Sequence, residues 1–158
     1  MASWKVMGRD GPQDLDSLLA RGASLDERVT PFRILVADGD KIRARMTRGA
    51  VSNMGFIVDV SNTSIDAEKL LKMYRYDLVL ADAFLPDMGG LSFLAEVRMR
   101  QPGVPVVITS GDFPVELASR VSRFGAADML KTPFDRSELE MVLNRALGLS
   151  PIKDDEEF

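Results

Sequence analysis

Asp77–Gly90 reads DLVLADAFLPDMGG, and its reading decides the fold. Leu78, Val79, Leu80 and Ala81 form an unbroken apolar run, the pattern of a strand covered on both faces. The run ends at a carboxylate, Asp82. Pro86 and the Gly89-Gly90 pair then force a loop before the next helical segment. An acid is therefore expected at the carboxyl end of a buried strand, the edge where open parallel sheets carry their chemistry.

The pattern of this stretch repeats on either side. Upstream, Ile34–Ala37 is a second buried-strand candidate that ends in Asp38-Gly39-Asp40. A helix follows, with Ile42, Met46 and Ala50 on one face and Gly55 at its close. Phe56–Val60 reads as a strand, and Ala67, Leu70, Leu71 and Tyr74 as a helical face. Downstream, Leu91, Leu94, Ala95 and Met99 suggest a helix ended by Pro102-Gly103. Val104–Thr109 is the fourth strand. Leu117, Ala118, Val121 and Phe124 mark the next helix, which Pro114 opens. Ala127–Lys131 is a short fifth strand, and Leu139, Val142, Leu143, Ala146 and Leu147 give the clearest amphipathic helix. Five strands alternating with five helices predict an α/β, doubly wound parallel sheet of flavodoxin-like (βα)5 type, strand order 2-1-3-4-5. That order makes the first and third strands neighbours and brings Asp38 toward Asp82.

Three segments follow from this division. Residues 1–31 read as an N-terminal extension, where Gly8, Gly11 and Pro12 break early structure and Leu15, Leu18 and Leu19 suggest a short helix. The extension is expected to dock on the domain, pair with another subunit, or stay disordered. Residues 32–149 form the domain, and 150–158 an acidic tail with Asp154-Asp155-Glu156-Glu157.

Composition removes several kinds of chemistry. The 158 residues contain no cysteine, so disulfides and thiolate metal sites are absent, and no histidine, so imidazole bases, ligands and phosphohistidine are absent. Net charge is −4, and no long basic stripe favours nucleic acid. No apolar run nears the roughly 18 residues of a membrane span, and no secretory signal order opens the chain. A cytoplasmic location is expected.

The acids, hydroxyls and ammonium that this topology gathers suit aspartyl phosphorylation. Acidic oxygens hold Mg²⁺, a carboxylate attacks phosphorus, and a hydroxyl and a lysine bind phosphoryl oxygens. The motifs ILVADGD, DLVLADAFLPDMGG, VPVVITSG and GAADMLKTPF, in this order, make residues 33–148 resemble a response-regulator receiver domain of the CheY-like family. The resemblance implies Asp82 as phospho-acceptor, Ser110 as switch hydroxyl, Lys131 as phosphate partner, and Mg²⁺ held by Asp38, Asp82 and the Phe84 backbone carbonyl. It implies a sensor histidine kinase or histidine phosphotransferase as donor. Output is implied through protein contact, with a target or a second copy, across the face of the fourth helix, fifth strand and fifth helix. Neither enzymatic turnover nor an output domain after Gly148 is expected.

Three positions depart from the family pattern. Gly39 stands where the second metal-binding acid is usual, with Asp40 one residue late; Asp40 reads either as a substitute ligand or as a helix N-cap. Thr132 stands where the lysine is usual, with Lys131 one residue early, and only a register slip or a bulge would bring it in. Met129 replaces the aromatic switch residue. These departures support a second reading, a degenerate receiver that binds partners without phosphate. A third reading takes Asp38 and Asp40 as the acid pair of a haloacid-dehalogenase-like phosphatase. If Asp38 and Asp82 cluster without a cation, at least one pKa should rise.

Overall fold

The structure, a computed structural model, describes residues 5–8, 11–14 and 31–149. Its main sheet has five parallel strands, β1 (Arg33–Ala37), β2 (Ile57–Ser61), β3 (Leu78–Asp82), β4 (Val106–Ser110) and β5 (Asp128–Lys131), in the order β2-β1-β3-β4-β5. This is the expected 2-1-3-4-5. Helices α1 (Lys41–Asn53), α2 (Ser64–Met73), α3 (Gly90–Arg100), α4 (Val115–Arg123) and α5 (Arg136–Ala146) form the crossovers.

Strand alternation divides the core into two layers. Ile34, Val36, Leu78, Leu80 and Val107 pack with Val51 of α1 and Leu139, Val142 and Leu143 of α5. Leu35, Ala37, Val79, Ala81 and Ile108 pack with Ala67, Leu71, Phe93, Leu94, Val97 and Val121 of α2, α3 and α4. Every residue of β3 is buried, as a run covered on both faces requires. Each fully buried leucine there contributes roughly 1.5–3 kcal/mol.

One helix turns a different face inward than expected, and a second keeps Leu91 and Leu94 of its expected face on the core. α1 buries Ala44, Thr47 and Val51, while Ile42 and Met46 are 75% and 71% exposed. α3 buries Phe93, Leu94 and Val97 and leaves Met99 outside. Small side chains at Ala44 and Thr47 let α1 lie close on the sheet. Its phase is set at the N-terminus, where Asp40 Oδ1 accepts the Ile42 and Arg43 N–H groups, each at 3.0 Å.

The extension holds a two-stranded antiparallel ladder, Lys5–Gly8 with Gly11–Asp14, where breaks were expected. Gly8 pairs with Gly11 and Met7 with Pro12 in this ladder. The helix expected around Leu15–Leu19 and the acidic tail lie outside the described residues. Among the described residues no helix is long and apolar enough to cross a membrane.

Candidate functional site

The carboxyl ends of β1 and β3 lie side by side, with Ala37 paired to Ala81, so Asp38 and Asp82 leave the sheet as neighbours. They continue the inward series 34–36 and 78–80, and so emerge on the side that α1 covers. Both are nearly closed to solvent, at 4% and 8% exposure. Asp38 Oδ1 accepts the Asp40 N–H at 2.9 Å, and its own carbonyl accepts from Asn62 Nδ2 at 2.9 Å. Asp82 Oδ1 accepts the Phe84 N–H at 3.1 Å.

The group that joins them is Arg43, which the sequence reading did not single out. Its Nε donates to Asp38 Oδ2 at 2.7 Å and its Nη2 to Asp38 Oδ1 at 2.8 Å, a two-pronged pair. The same Nη2 donates to Asp82 Oδ2 at 3.0 Å. Asp40 Oδ2 stands 3.8 Å from Nη1. The available signal was positional: a basic residue three after the Asp40 cap, on the first turn of α1.

The loop after Asp82 is pinned at two points. Gly90 N–H donates to the Ala83 carbonyl at 2.9 Å. Asp87 caps α2, accepting from Ser64 N and Oγ at 2.9 and 2.8 Å and from Ile65 N at 3.2 Å. These bonds hold its carboxyl below the usual range. For Asp82 the balance runs the other way. Burial, reinforced by the Asp38 charge, keeps its carboxyl above the usual range despite the Phe84 N–H and Arg43. A rise was expected from repulsion between the acids; its main cause here is burial, with the Asp38 charge a smaller one and the Arg43 guanidinium between them. Asp40 is lowered, first by the Arg43 N–H that it caps.

On the other flank, Thr109 lies opposite Asp82 in the ladder, and Ser110 is one step further toward the loop. Both are buried, and Ser110 Oγ accepts the Asp112 N–H at 3.4 Å. Ser110 pairs with Lys131, and Thr132 N–H continues the ladder to the Ser110 carbonyl at 2.8 Å. The ladder is continuous, without slip or bulge. Leu130 and Thr132 face inward while Met129 and Lys131 are exposed. The Thr132-Pro133 peptide is cis.

The five-stranded α/β fold of residues 31–149 is matched by known proteins. The family model described as response regulator receiver domain matches residues 34–144. This chain belongs to the response-regulator receiver family. It is 34% identical over 121 residues, 77% of its length, to the regulatory protein AtoC of Escherichia coli, and 30% identical over 108 residues to the cell cycle transcriptional regulator CtrA of Caulobacter vibrioides. It spans only 26% and 47% of the length of those proteins. Among solved structures, the receiver domain of the sensor histidine kinase PA1611 from Pseudomonas aeruginosa superposes with TM-score 0.68 at 26% identity. That match covers 75% of this chain and 99% of the other, which holds a magnesium ion coordinated in its active-site cleft.

The acid pocket of this receiver does not fit Mg²⁺ as it is arranged. Mg²⁺ takes near-octahedral oxygen ligands at about 2.0–2.1 Å. Here both carboxylates are engaged by Arg43, and Asp40 is committed to capping α1. A Cβ built on Gly39 would lie 2.8 Å from Pro86 Cδ, so an acid at that position has no room while Pro86 stays in place. Among the described residues, no group of three or more His, Cys, Asp or Glu side chains converges to hold a metal.

Proposed function

We propose that this receiver accepts a phosphoryl group on Asp82 from a histidine kinase or histidine phosphotransferase and signals by protein contact. The observation that carries the reading is the setting of Asp82. It ends the central, fully buried strand at the switch point, beside Asp38, with its carboxylate aimed by the Phe84 N–H. Desolvation raises the energy of that carboxylate and makes it the better nucleophile. One Asp82 oxygen forms a bond to phosphorus while the P–N bond of a phosphohistidine donor breaks. The electron pair leaves on the imidazole, which is protonated by solvent. The Phe84 N–H and the Arg43 guanidinium are the donors that already reach the Asp82 carboxylate, and Ser110, at the end of the neighbouring strand, would supply a hydroxyl to the new phosphoryl oxygens.

The output runs through α4-β5-α5. Ser110 and Lys131 link the site to β5, beside which Phe124, Met129 and Met141 are 45%, 38% and 60% exposed. An apolar face of this kind suits a protein partner or a second copy of the chain better than a nucleic acid. A second reading, binding without phosphate, draws support from Arg43 in the acid pair and from the outward Lys131. Intact mass after incubation with acetyl phosphate separates the two. A phosphoryl adduct on the wild type and none on Asp82→Asn supports the acceptor. No adduct on either folded protein supports the phosphate-independent module.

A further inference from the structure

We infer that the Arg43 guanidinium is the resident cation of the Asp38–Asp82 pair, and that it and a divalent cation compete for that pair. The inference deepens the reading of Asp82 as the acceptor and concerns the regulation of that site. One nitrogen, Nη2, lies 2.8 Å from Asp38 Oδ1 and 3.0 Å from Asp82 Oδ2. A divalent cation taking those two oxygens would have to share them with the guanidinium charge already hydrogen-bonded to both, so the two cations compete for the same pair.

Three features favour the arginine. It is tethered on the first turn of α1, so its effective concentration at the acids exceeds that of a free ion at about millimolar levels. Its fork meets Asp38 with two hydrogen bonds, a geometry that a lysine lacks. Asp40 fixes the turn that carries it by accepting the N–H groups of Ile42 and Arg43 itself. The ligand set open to a competing ion is also short, because Pro86 fills the direction in which a side chain at position 39 would extend. A divalent cation therefore competes with Arg43 for Asp82, and α1 is the element that reports its arrival.

The test is a Mg²⁺ titration without any phosphodonor, followed by the amide signals of Asp82–Phe84 and the Nε–H signal of Arg43. Wild type and Arg43→Ala are compared, with Arg43→Lys as a variant that keeps the charge and so protects the fold. Arg43→Ala is expected to bind Mg²⁺ roughly tenfold more tightly than wild type, with Arg43→Lys between them. In the wild type the Arg43 Nε signal is expected to move in step with occupancy. Equal affinities in wild type and both variants would overturn the inference, as would saturation of the wild type with the Arg43 Nε signal unmoved. Because no phosphoryl group is involved, a chain that behaves as expected here yet never takes phosphate would sink the acceptor reading alone.

Discussion

Gly89 and Gly90 are adjacent, and the structure gives them opposite tolerances. Gly90 opens α3 directly against the end of β3. A Cβ there would lie 2.4 Å from the Asp82 carbonyl oxygen, 2.8 Å from Ala83 Cα and 3.1 Å from the Asp82 carbonyl carbon. Comfortable contacts run at roughly 3.5 Å, so the helix end or the strand end must shift by about 1 Å. The obstructing atoms are backbone, which cannot rotate away. Overpacking of this kind costs about 1–3 kcal/mol. Alanine recovers less than about 1 kcal/mol of helix propensity at a first-turn position. The net expectation for Gly90→Ala is a loss of about 2 kcal/mol, or roughly 6 °C in Tm for a domain of this size. Gly89 has nothing within 4 Å of its Cβ direction and an ordinary extended backbone, φ −64° and ψ 146°. Gly89→Ala should therefore be neutral or gain up to about 1 kcal/mol through the unfolded state. Urea denaturation of the two variants beside wild type reads both numbers. Gly90→Ala as stable as wild type, or Gly89→Ala equally damaged, would refute the close approach of α3 to Asp82.

Two other features give expectations away from the acid pair. Asp59 accepts from Arg33 Nε at 2.7 Å and from Tyr76 Oη at 2.7 Å, and Arg33 stacks 3.7 Å from the Tyr74 ring centroid. Burial alone would raise the Asp59 carboxyl, but its hydrogen bonds from Arg33 and Tyr76 bring it below the usual range. A depressed carboxyl contributes stability in full above its unfolded pKa, about 4, and loses it as pH falls through the folded value. Asp59→Asn should thus flatten the acid limb of a stability profile, and an unchanged slope below about pH 4 would contradict this. Tyr76→Phe should cost about 1–2 kcal/mol at neutral pH in urea denaturation, since it strips a hydrogen bond from a carboxylate. Asp40→Ala removes the α1 cap and should cost about 1 kcal/mol without weakening Mg²⁺ binding. A loss of Mg²⁺ affinity in that variant would return Asp40 to the ligand set.

Much of the fold was legible because its strands are unusually plain. Leu78–Ala81 and Ile34–Ala37 are apolar at every position, which only a sheet covered on both sides explains, and each ends in an acid. α5 was legible for a similar reason, since Leu139, Val142 and Leu143 are large and lie on one face. α1 was misread because size misled the pattern. Ile42 and Met46 outweigh Ala44 and Thr47 on any hydrophobic scale, yet the smaller residues suit a helix lying close on a sheet. Arg43 was missed with them, because its reach to Asp38 and Asp82 depends on the rotational phase of α1. The departures at Gly39 and Thr132 were visible as residues. What fills their places, Pro86 at one and a buried threonine at the other, depends on loop and strand register.

The most direct measurement is to locate the phosphoryl group. After incubation with acetyl phosphate, borohydride reduction converts an aspartyl phosphate to homoserine, and peptide mass spectrometry reads which residue has changed. The conversion is predicted at Asp82, in the peptide that carries DLVLADAFLPDMGG. Conversion at Asp38 instead would contradict the account and favour phosphatase chemistry on the first acid. Absence of conversion in folded protein, with donor in excess and Mg²⁺ present, would contradict it in favour of a receiver that works without phosphate.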